Sequence, residues 1–209
     1  GYAKSMARSA QHCAVSDQLL TELAEEDYKK TCSAVSSVLP IEYLIKLSSA
    51  RRYNLLRYWT RLNVSVLPDT KQLEEMDRVI FTEDDTMPCL HFKGVEVRKY
   101  DRQLYILPKL ARHDVDQVIS WDLLGDLVLP NNLGVLRSDL IRSSSHIDCE
   151  GKKITVRFRC GGEKIKLPGH QVRHSLKKLF QQWKVPTWQR DRVPLLFADD
   201  ELIMVVGYS

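Results

Sequence analysis

The chain has 209 residues, of which 44% are hydrophobic and 28% charged, and its mean hydropathy is −0.29. That length suits one large domain or two small ones, and the composition excludes wholesale disorder, which needs low hydrophobicity and high net charge. The net charge of +4 is unevenly spread: residues 1–150 carry 19 Lys+Arg against 22 Asp+Glu, whereas residues 151–209 carry 12 against 5, which points to an anionic partner with nucleic acid first in line.

The first thirty residues read as a helix that begins inside its own pattern, as in a piece of a longer chain. Met6, Cys13 and Leu20 fall seven apart with Ala3, Ala10 and Ala24 beside them, and Asp17 interrupts the stripe, which predicts partial burial. After a polar loop at residues 32–37, Leu39-Pro40 supplies a hydrophobic residue and an N1 proline for a helix start. Ser48 or Ser49 caps the next helix, whose Leu55, Leu56, Trp59 and Leu62 fall at i, i+1, i+4 and i+7. Asp69 with Gln72 three residues on resembles a capping box, ahead of a helix with Leu73, Met76 and Ile80 on its core face. At Pro88 the period changes to two. Cys89 to Lys93 alternates, Lys93-Gly94 turns, Val95 to Tyr100 alternates again, and Asp101-Arg102 turns into Gln103-Leu104-Tyr105-Ile106, which predicts an antiparallel meander.

Residues 108–120 are charged and weakly patterned, a linker. Strands are then predicted at Leu127-Val128-Leu129, Val135-Leu136 and residues 154–159, separated by turns at Asn131-Asn132, Ser143-Ser144-Ser145 and Glu150-Gly151. Val172, Leu176, Leu179, Phe180 and Trp183 sit at i, i+4, i+7, i+8 and i+11, which predicts one amphipathic helix that Pro186 stops. A hairpin made of Leu195-Leu196-Phe197, an Asp199-Asp200 turn and residues 202–206 closes the chain. The fold class is therefore α+β: a helical domain with a β-meander over residues 1–108, a linker over 109–120, and an antiparallel α+β domain over 121–209.

Catalytic signatures are sparse. No Gly-x-x-x-x-Gly-Lys, Gly-x-Gly-x-x-Gly or Gly-x-Ser-x-Gly occurs. Five cysteines (Cys13, Cys32, Cys89, Cys149 and Cys160) are scattered without a Cys-x-x-Cys pair, which favours reduced thiols in a cytoplasmic protein over a disulfide framework or zinc ribbon. No apolar run approaches the roughly 20 residues of a membrane helix, and the N-terminus has no apolar signal core. His170 and His174 have ligand spacing for a helix face but no Glu between them, so a solvated basic helix end is expected there and no metal. Asp199-Asp200-Glu201 reads as an exposed turn.

The basic residues are more telling. On the expected helix, Arg173 and Lys177 are like charges at i, i+4, a pairing that costs isolated helices on the order of 0.2–0.5 kcal/mol. Lys178 and Lys184 add to them, and no acid occurs between Glu163 and Asp191. Arg157 and Arg159 alternate with Val156 and Phe158 on one exposed strand face, and Arg190 and Arg192 flank the same region beside Trp188. Forked or fixed cations of this kind suit phosphates. The candidate RNA-binding residues are thus Arg157, Arg159, Arg173, Lys177, Lys178, Arg190, Arg192 and Trp188. Trp188 either stacks on a base or, fixed between Pro186 and Pro194, packs within the domain.

The run Ser175-Leu176-Lys177-Lys178-Leu179-Phe180-Gln181, then residues 185–196 from Val185-Pro186-Thr187-Trp188 to Val193-Pro194-Leu195-Leu196, then Leu202-Ile203 and Gly207, resembles the C-terminal domain of the bacterial tRNA(Ile)-lysidine synthetases. Ala7-Arg8-Ser9-Ala10, Ala50-Arg51-Arg52, Pro88-Cys89-Leu90 and Arg98-Lys99-Tyr100 resemble that family's middle, helical domain in the same order. Three positions depart: Thr187 stands where a second proline is usual, Lys184 where glycine is usual, and His170 where arginine often follows Gly169. The resemblance implies an enzyme that adenylates the wobble cytidine of an isoleucine tRNA with ATP and lets lysine displace AMP, changing codon reading from AUG to AUA. The family's Ser-Gly-Gly-x-Asp-Ser ATP loop does not occur in this sequence. The expectation is accordingly a fragment without the N-terminal catalytic domain, holding no cofactor itself, with ATP and magnesium belonging to that domain. Its implied role is recognition of the body and acceptor stem of tRNA(Ile), with no membrane partner and a homodimer possible. Two rival readings are a structural or dimerising module built on apolar faces such as Leu55, Trp59 and Leu62, and a free-standing nucleic-acid-binding protein.

Overall fold

The computed structural model describes residues 2–31, 36–64, 67–83, 86–142 and 151–208. The turns expected at Ser143-Ser144-Ser145 and at Glu150, and most of the loop after Thr31, lie outside the described residues. The chain divides into two compact units, Gly1–Leu110 and Ala111–Ser209.

The first unit runs α1 (Tyr2–Lys29), β1 (Val38–Pro40), α2 (Ile41–Leu44), α3 (Ser49–Asn63), α4 (Thr70–Phe81), β2 (Cys89–Phe92), β3 (Val95–Tyr100) and β4 (Gln103–Pro108). Ser48 caps α3 by accepting from the Arg51 N–H, and Asp69 and Gln72 form a reciprocal capping box at 2.8 and 3.0 Å that opens α4. Leu55, Leu56 and Trp59 of α3 are fully buried with Leu73 and Met76 of α4, and they close one core with Leu39, Leu44, Val97 and Leu104. The Trp59 indole N–H finds the Ser36 carbonyl at 2.8 Å, so the largest core side chain leaves no polar atom unmatched. Leu62 lies on the same stripe but in the last turn of α3, past the packed region, and stays 38% exposed. The α1 stripe is buried only near its C-terminal end, at Ala24, Asp27 and Tyr28, while Met6 and Leu20 face solvent.

The meander forms as expected, with left-handed backbone at Lys93-Gly94 and Asp101-Arg102; positive φ at both central residues matches the twist of the flanking strands. The sheet has a fourth member that the sequence reading missed. β1 pairs antiparallel with β4, Leu39 opposite Leu104. Leu39-Pro40 is therefore strand, not a helix start. Pro40 is extended, with φ −73° and ψ 122°, and the Ile41 N–H is held by the Arg102 carbonyl at 3.0 Å, so the one-turn helix begins only at Ile41.

The second unit contains β5 (Ile119–Ser120), β6 (Leu127–Val128), β7 (Val135–Leu136), α5 (Ser138–Arg142), β8 (Ile154–Arg157), β9 (Lys164–Lys166), β10 (Arg173–Ser175), α6 (Leu176–Gln182), α7 (Thr187–Arg190), β11 (Leu195–Ala198) and β12 (Glu201–Val205). Its main sheet is antiparallel in the order β12-β11-β8-β5. β5 falls in the stretch the sequence left between the domains and places Ile119 opposite Val156. Neighbouring residues of a strand point to opposite faces, and β11 uses this directly: Leu196 joins Trp121, Ile154 and Val156 in one cluster, Leu195 joins Ile165, Leu176, Phe180 and Val205 in another. β8 ends at Arg157, so Arg159 lies beyond the strand, and the expected shared strand face of Arg157 and Arg159 does not form. Beyond it the Glu163 carboxylate gathers the Cys160 and Gly161 N–H groups, both at 2.6 Å, and turns the chain.

The expected helix over residues 172–183 is shorter. Its first part is β10, whose Arg173, His174 and Ser175 stand opposite Lys166, Ile165 and Lys164 of β9, and Val172 is 70% exposed. The chain turns helical only at Leu176, where the N–H is taken by the Glu163 carbonyl at 2.9 Å. α6 then closes with two back-bonds, Val185 N–H to the Phe180 carbonyl and Lys184 N–H to that of Gln181. Lys184 takes the left-handed conformation this ending requires, φ 54°, which is the physical reason glycine suits that position. Thr187, where a second proline is usual, is the first residue of α7, a position proline favours.

Candidate nucleic-acid interface

The cations on β9, β10 and the first turn of α6 arise from two local patterns. Lys164-Ile165-Lys166 alternates about a buried isoleucine, which turns both lysines outward. Leu176, Leu179 and Phe180 bury the inner face of α6, which leaves Lys177 and Lys178 exposed. Among the described residues, none of these four lysines forms an ion pair. Lys164 and Lys166 were not among the residues singled out from sequence, although the Lys-Ile-Lys alternation after Gly161-Gly162 was there to be read.

The arginines are placed differently. Arg173 sits on β10 rather than on the helix with Lys177, so the expected i, i+4 repulsion on one helix face does not arise. Nor is it uncompensated, since its guanidinium lies 2.6 Å from a Glu201 carboxylate oxygen. Arg157 donates to the Asp199 carbonyl at 2.7 Å, to Thr155 Oγ1 at 3.0 Å and to Asp200 at 3.3 Å, and lies over the Phe197 ring, 4.6 Å from its centroid. It ties β8 to the β11–β12 turn. Arg159 is 4.0 Å from Glu163, with its Nε buried and without a hydrogen bond. Arg190 Nε donates to the Val185 carbonyl at 2.8 Å, and Arg192 donates to the Ala111 carbonyl. Trp188 is half-buried in α7. Of the eight candidate residues, the structure thus places Arg173, Lys177 and Lys178 on the hairpin and helix and sets Arg157, Arg190 and Arg192 to holding backbone carbonyls.

His170 and His174 do not share a helix face. His174 is on β10 and His170 precedes it in a turn, their rings edge-on at 5.0 Å. Asp199-Asp200-Glu201 forms the β11–β12 turn as expected, and its oxygens serve the Lys153 N–H, Arg157 and Arg173. Burial pushes the Cys160 thiol up, and the Asp116 and Glu163 carboxylates push it the same way, so it is protonated and a poor nucleophile at neutral pH.

In the first unit, the charged residues of two stretches that carried the resemblance, Ala50-Arg51-Arg52 and Arg98-Lys99-Tyr100, hold the fold together. Arg51 grips the buried Asp27 carboxylate, Arg52 pairs with Asp77 and donates to the Leu47 carbonyl at 2.8 Å, and Arg98 holds Glu96 at 2.7 and 2.9 Å. Lys99, itself buried, donates to the Ile80 and Thr82 carbonyls at the end of α4. Each removes a buried charge or an orphan helix carbonyl that would otherwise cost stability.

Comparison with known proteins bears on both units. Residues 39–105 match the family described as TilS substrate binding domain, and residues 154–209 match the TilS substrate C-terminal domain. The tRNA(Ile)-lysidine synthase of Coxiella burnetii is 40% identical over 205 residues, covering 97% of this chain and 45% of the relative. That of Edwardsiella ictaluri is 34% identical over 207 residues, 99% of this chain and 46% of the relative, and that of Legionella pneumophila (strain Paris) is 33% identical over 210 residues, 100% and 48%. The chain spans a little under half the length of the curated relatives it matches. Two family domains in the family's order, with whole-chain similarity to these enzymes, place the chain in the tRNA(Ile)-lysidine synthase family.

Proposed function

We propose that this chain is the tRNA-recognition portion of a tRNA(Ile)-lysidine synthase, the ATP-dependent ligase that joins lysine to the wobble cytidine of the AUA-reading isoleucine tRNA. The observation that carries this reading is the set Lys164, Lys166, Lys177 and Lys178: exposed, unpaired among the described residues, and fixed on a hairpin and helix within a segment that has no acid from residue 164 to residue 190. Double-helical RNA is met largely through its shape, phosphates and 2′-hydroxyls, and half or more of protein–nucleic acid contacts go to the backbone. Lysines on rigid elements suit that task. Arg173, partly engaged by Glu201, borders them.

The chain alone is expected neither to bind ATP nor to make lysidine, because no phosphate-cradling loop occurs in its sequence; ATP and magnesium act in the catalytic domain, and the protein works in the cytoplasm. The test is a titration of labelled tRNA(Ile) with the 209-residue chain across a range of salt, beside an assay of lysine incorporation with ATP, magnesium and lysine. Salt-sensitive binding without lysidine formation is the expected result. Absence of binding, chain association indifferent to salt and RNA, or turnover by the chain alone would overturn the reading.

A further inference from the structure

The β2–β3 ribbon of the first unit holds three metal-ligating side chains that RNA recognition does not use. Residues two apart on a strand share a face, and the register sets Cys89 opposite Arg98 and His91 opposite Glu96, so all four side chains lie side by side. Cys89 Sγ is 3.3 Å from His91 Nε2, and His91 Nδ1 is 3.4 Å from Glu96 Oε1. The Glu96 side chain is 4% exposed and that of His91 56%, so the cluster has a fixed floor and an open side. Arg98 takes only Oε2 of Glu96, through Nε and Nη2, which leaves Oε1 directed at the imidazole.

We propose that Cys89, His91 and Glu96 form a binding site for a divalent zinc-class cation, with the fourth coordination position open to water. One donor atom from each residue lies within 4.8 Å of the other two. A sulfur and a nitrogen bound to one tetrahedral zinc are separated by roughly 3.5 Å, close to the 3.3 Å between Cys89 Sγ and His91 Nε2. Nε2 is therefore the nitrogen offered to the ion, and the exposed imidazole gives up its Nδ1 contact with Glu96 Oε1 as that oxygen joins the same ion. Thiolate, imidazole and carboxylate together select a borderline-soft ion, whereas magnesium and calcium require oxygen ligands. On binding, the cation replaces the Cys89 thiol proton, which leaves to solvent, while His91 coordinates as the neutral imidazole and Glu96 as the carboxylate. Arg98 is the outer partner that fixes the Glu96 carboxylate, the role such neighbours play around ligating groups. A Cys-x-His pair completed by a carboxylate from the next strand makes no contiguous motif, which is why ligand spacing along the chain does not show it.

The test uses the full, reduced 209-residue chain and Co2+ as probe, with Zn2+ as competitor. One Co2+ per chain, tetrahedral visible bands and a near-ultraviolet thiolate-to-cobalt band, all displaced by Zn2+, are expected. Cys89→Ser should abolish the thiolate band, and His91→Ala, at an exposed position that spares the fold, should weaken binding about tenfold or more. Cys13→Ser and Cys160→Ser should leave both unchanged, with circular dichroism confirming folding throughout. No stoichiometric binding at micromolar metal, a spectrum without the thiolate band, or a band that survives Cys89→Ser would overturn the site and leave a hydrogen-bonded thiol–imidazole–carboxylate chain in its place.

Discussion

Replacing Lys164, Lys166, Lys177 and Lys178 together by Gln should remove most of the tRNA affinity of the chain while leaving it folded. All four side chains are exposed, and the hairpin and helix beneath them are held by Ile165, Leu176, Leu179 and Phe180, each no more than 4% exposed. A phosphate contact contributes about 0.7–0.9 to the slope of log K against log salt. Four lost contacts therefore flatten that slope by about 3, and in 0.1 M salt, a decade below the point where counterion release ceases to help, they cost about a thousandfold in affinity. Arg157→Gln is the contrast. It removes the bond to the Asp199 carbonyl and the packing over Phe197, so it should lower unfolding stability by about 1–3 kcal/mol with at most one contact's change in slope. Fluorescence anisotropy of labelled tRNA over a decade of salt gives the slopes, and urea unfolding gives the stabilities. If the quadruple variant keeps the parental slope, or Arg157→Gln flattens it without loss of stability, the free lysines are not where phosphate binds.

Lys184→Gly should stabilise the second unit by about 0.5–1 kcal/mol in urea unfolding, because a left-handed non-glycine residue costs roughly 1–2 kcal/mol and glycine recovers part of it after its own entropy loss. At the Asp27 carboxyl, burial pushes the pKa up, but hydrogen bonds from Arg51 and Tyr43 and the charges of Arg51 and Lys30 outweigh it and hold the group below its ordinary 3.8. Folding thus favours the ionised form, so its stabilisation is present above about pH 4 and lost as pH falls through the depressed folded value; Asp27→Asn should flatten the acid limb of a stability–pH curve followed by circular dichroism. Limited trypsin digestion should cut first at Lys109 or Arg112, between the two units, whereas early cuts within α6 would place the boundary elsewhere.

The elements legible in the sequence are those whose signals are local. Asp69 and Gln72 form their capping box from four consecutive residues, and the meander declares itself through period two and paired turn residues. β1 and β10 were not legible because each is three residues long and exists only by pairing with a strand elsewhere, β1 with β4 and β10 with β9. In the second case the strand runs straight into a helix, so Val172 and Leu176 mimic one helical turn although only Leu176 is helical.

The charge of the second unit was legible as a total, but its division was not, because the acids that neutralise part of it return from far along the chain: Glu201 is 28 residues from Arg173, and Asp200 is 43 from Arg157. Once folded, the four acids Glu163, Asp199, Asp200 and Glu201 lie against Arg159, Arg157 and Arg173 or the turns beside them. That choice follows from the side chains. A planar guanidinium fork can meet a carboxylate, a carbonyl and an aromatic face at once, whereas a lysine ammonium is a hydrated point charge on a flexible stem. Arginine is therefore drawn inward to fasten turns, and lysine is left outward. In this unit the residue type best suited to forked phosphate contacts is mostly occupied by the fold, which is why the proposed phosphate contacts rest on the lysines of β9 and α6, exposed and without an ion pair among the described residues.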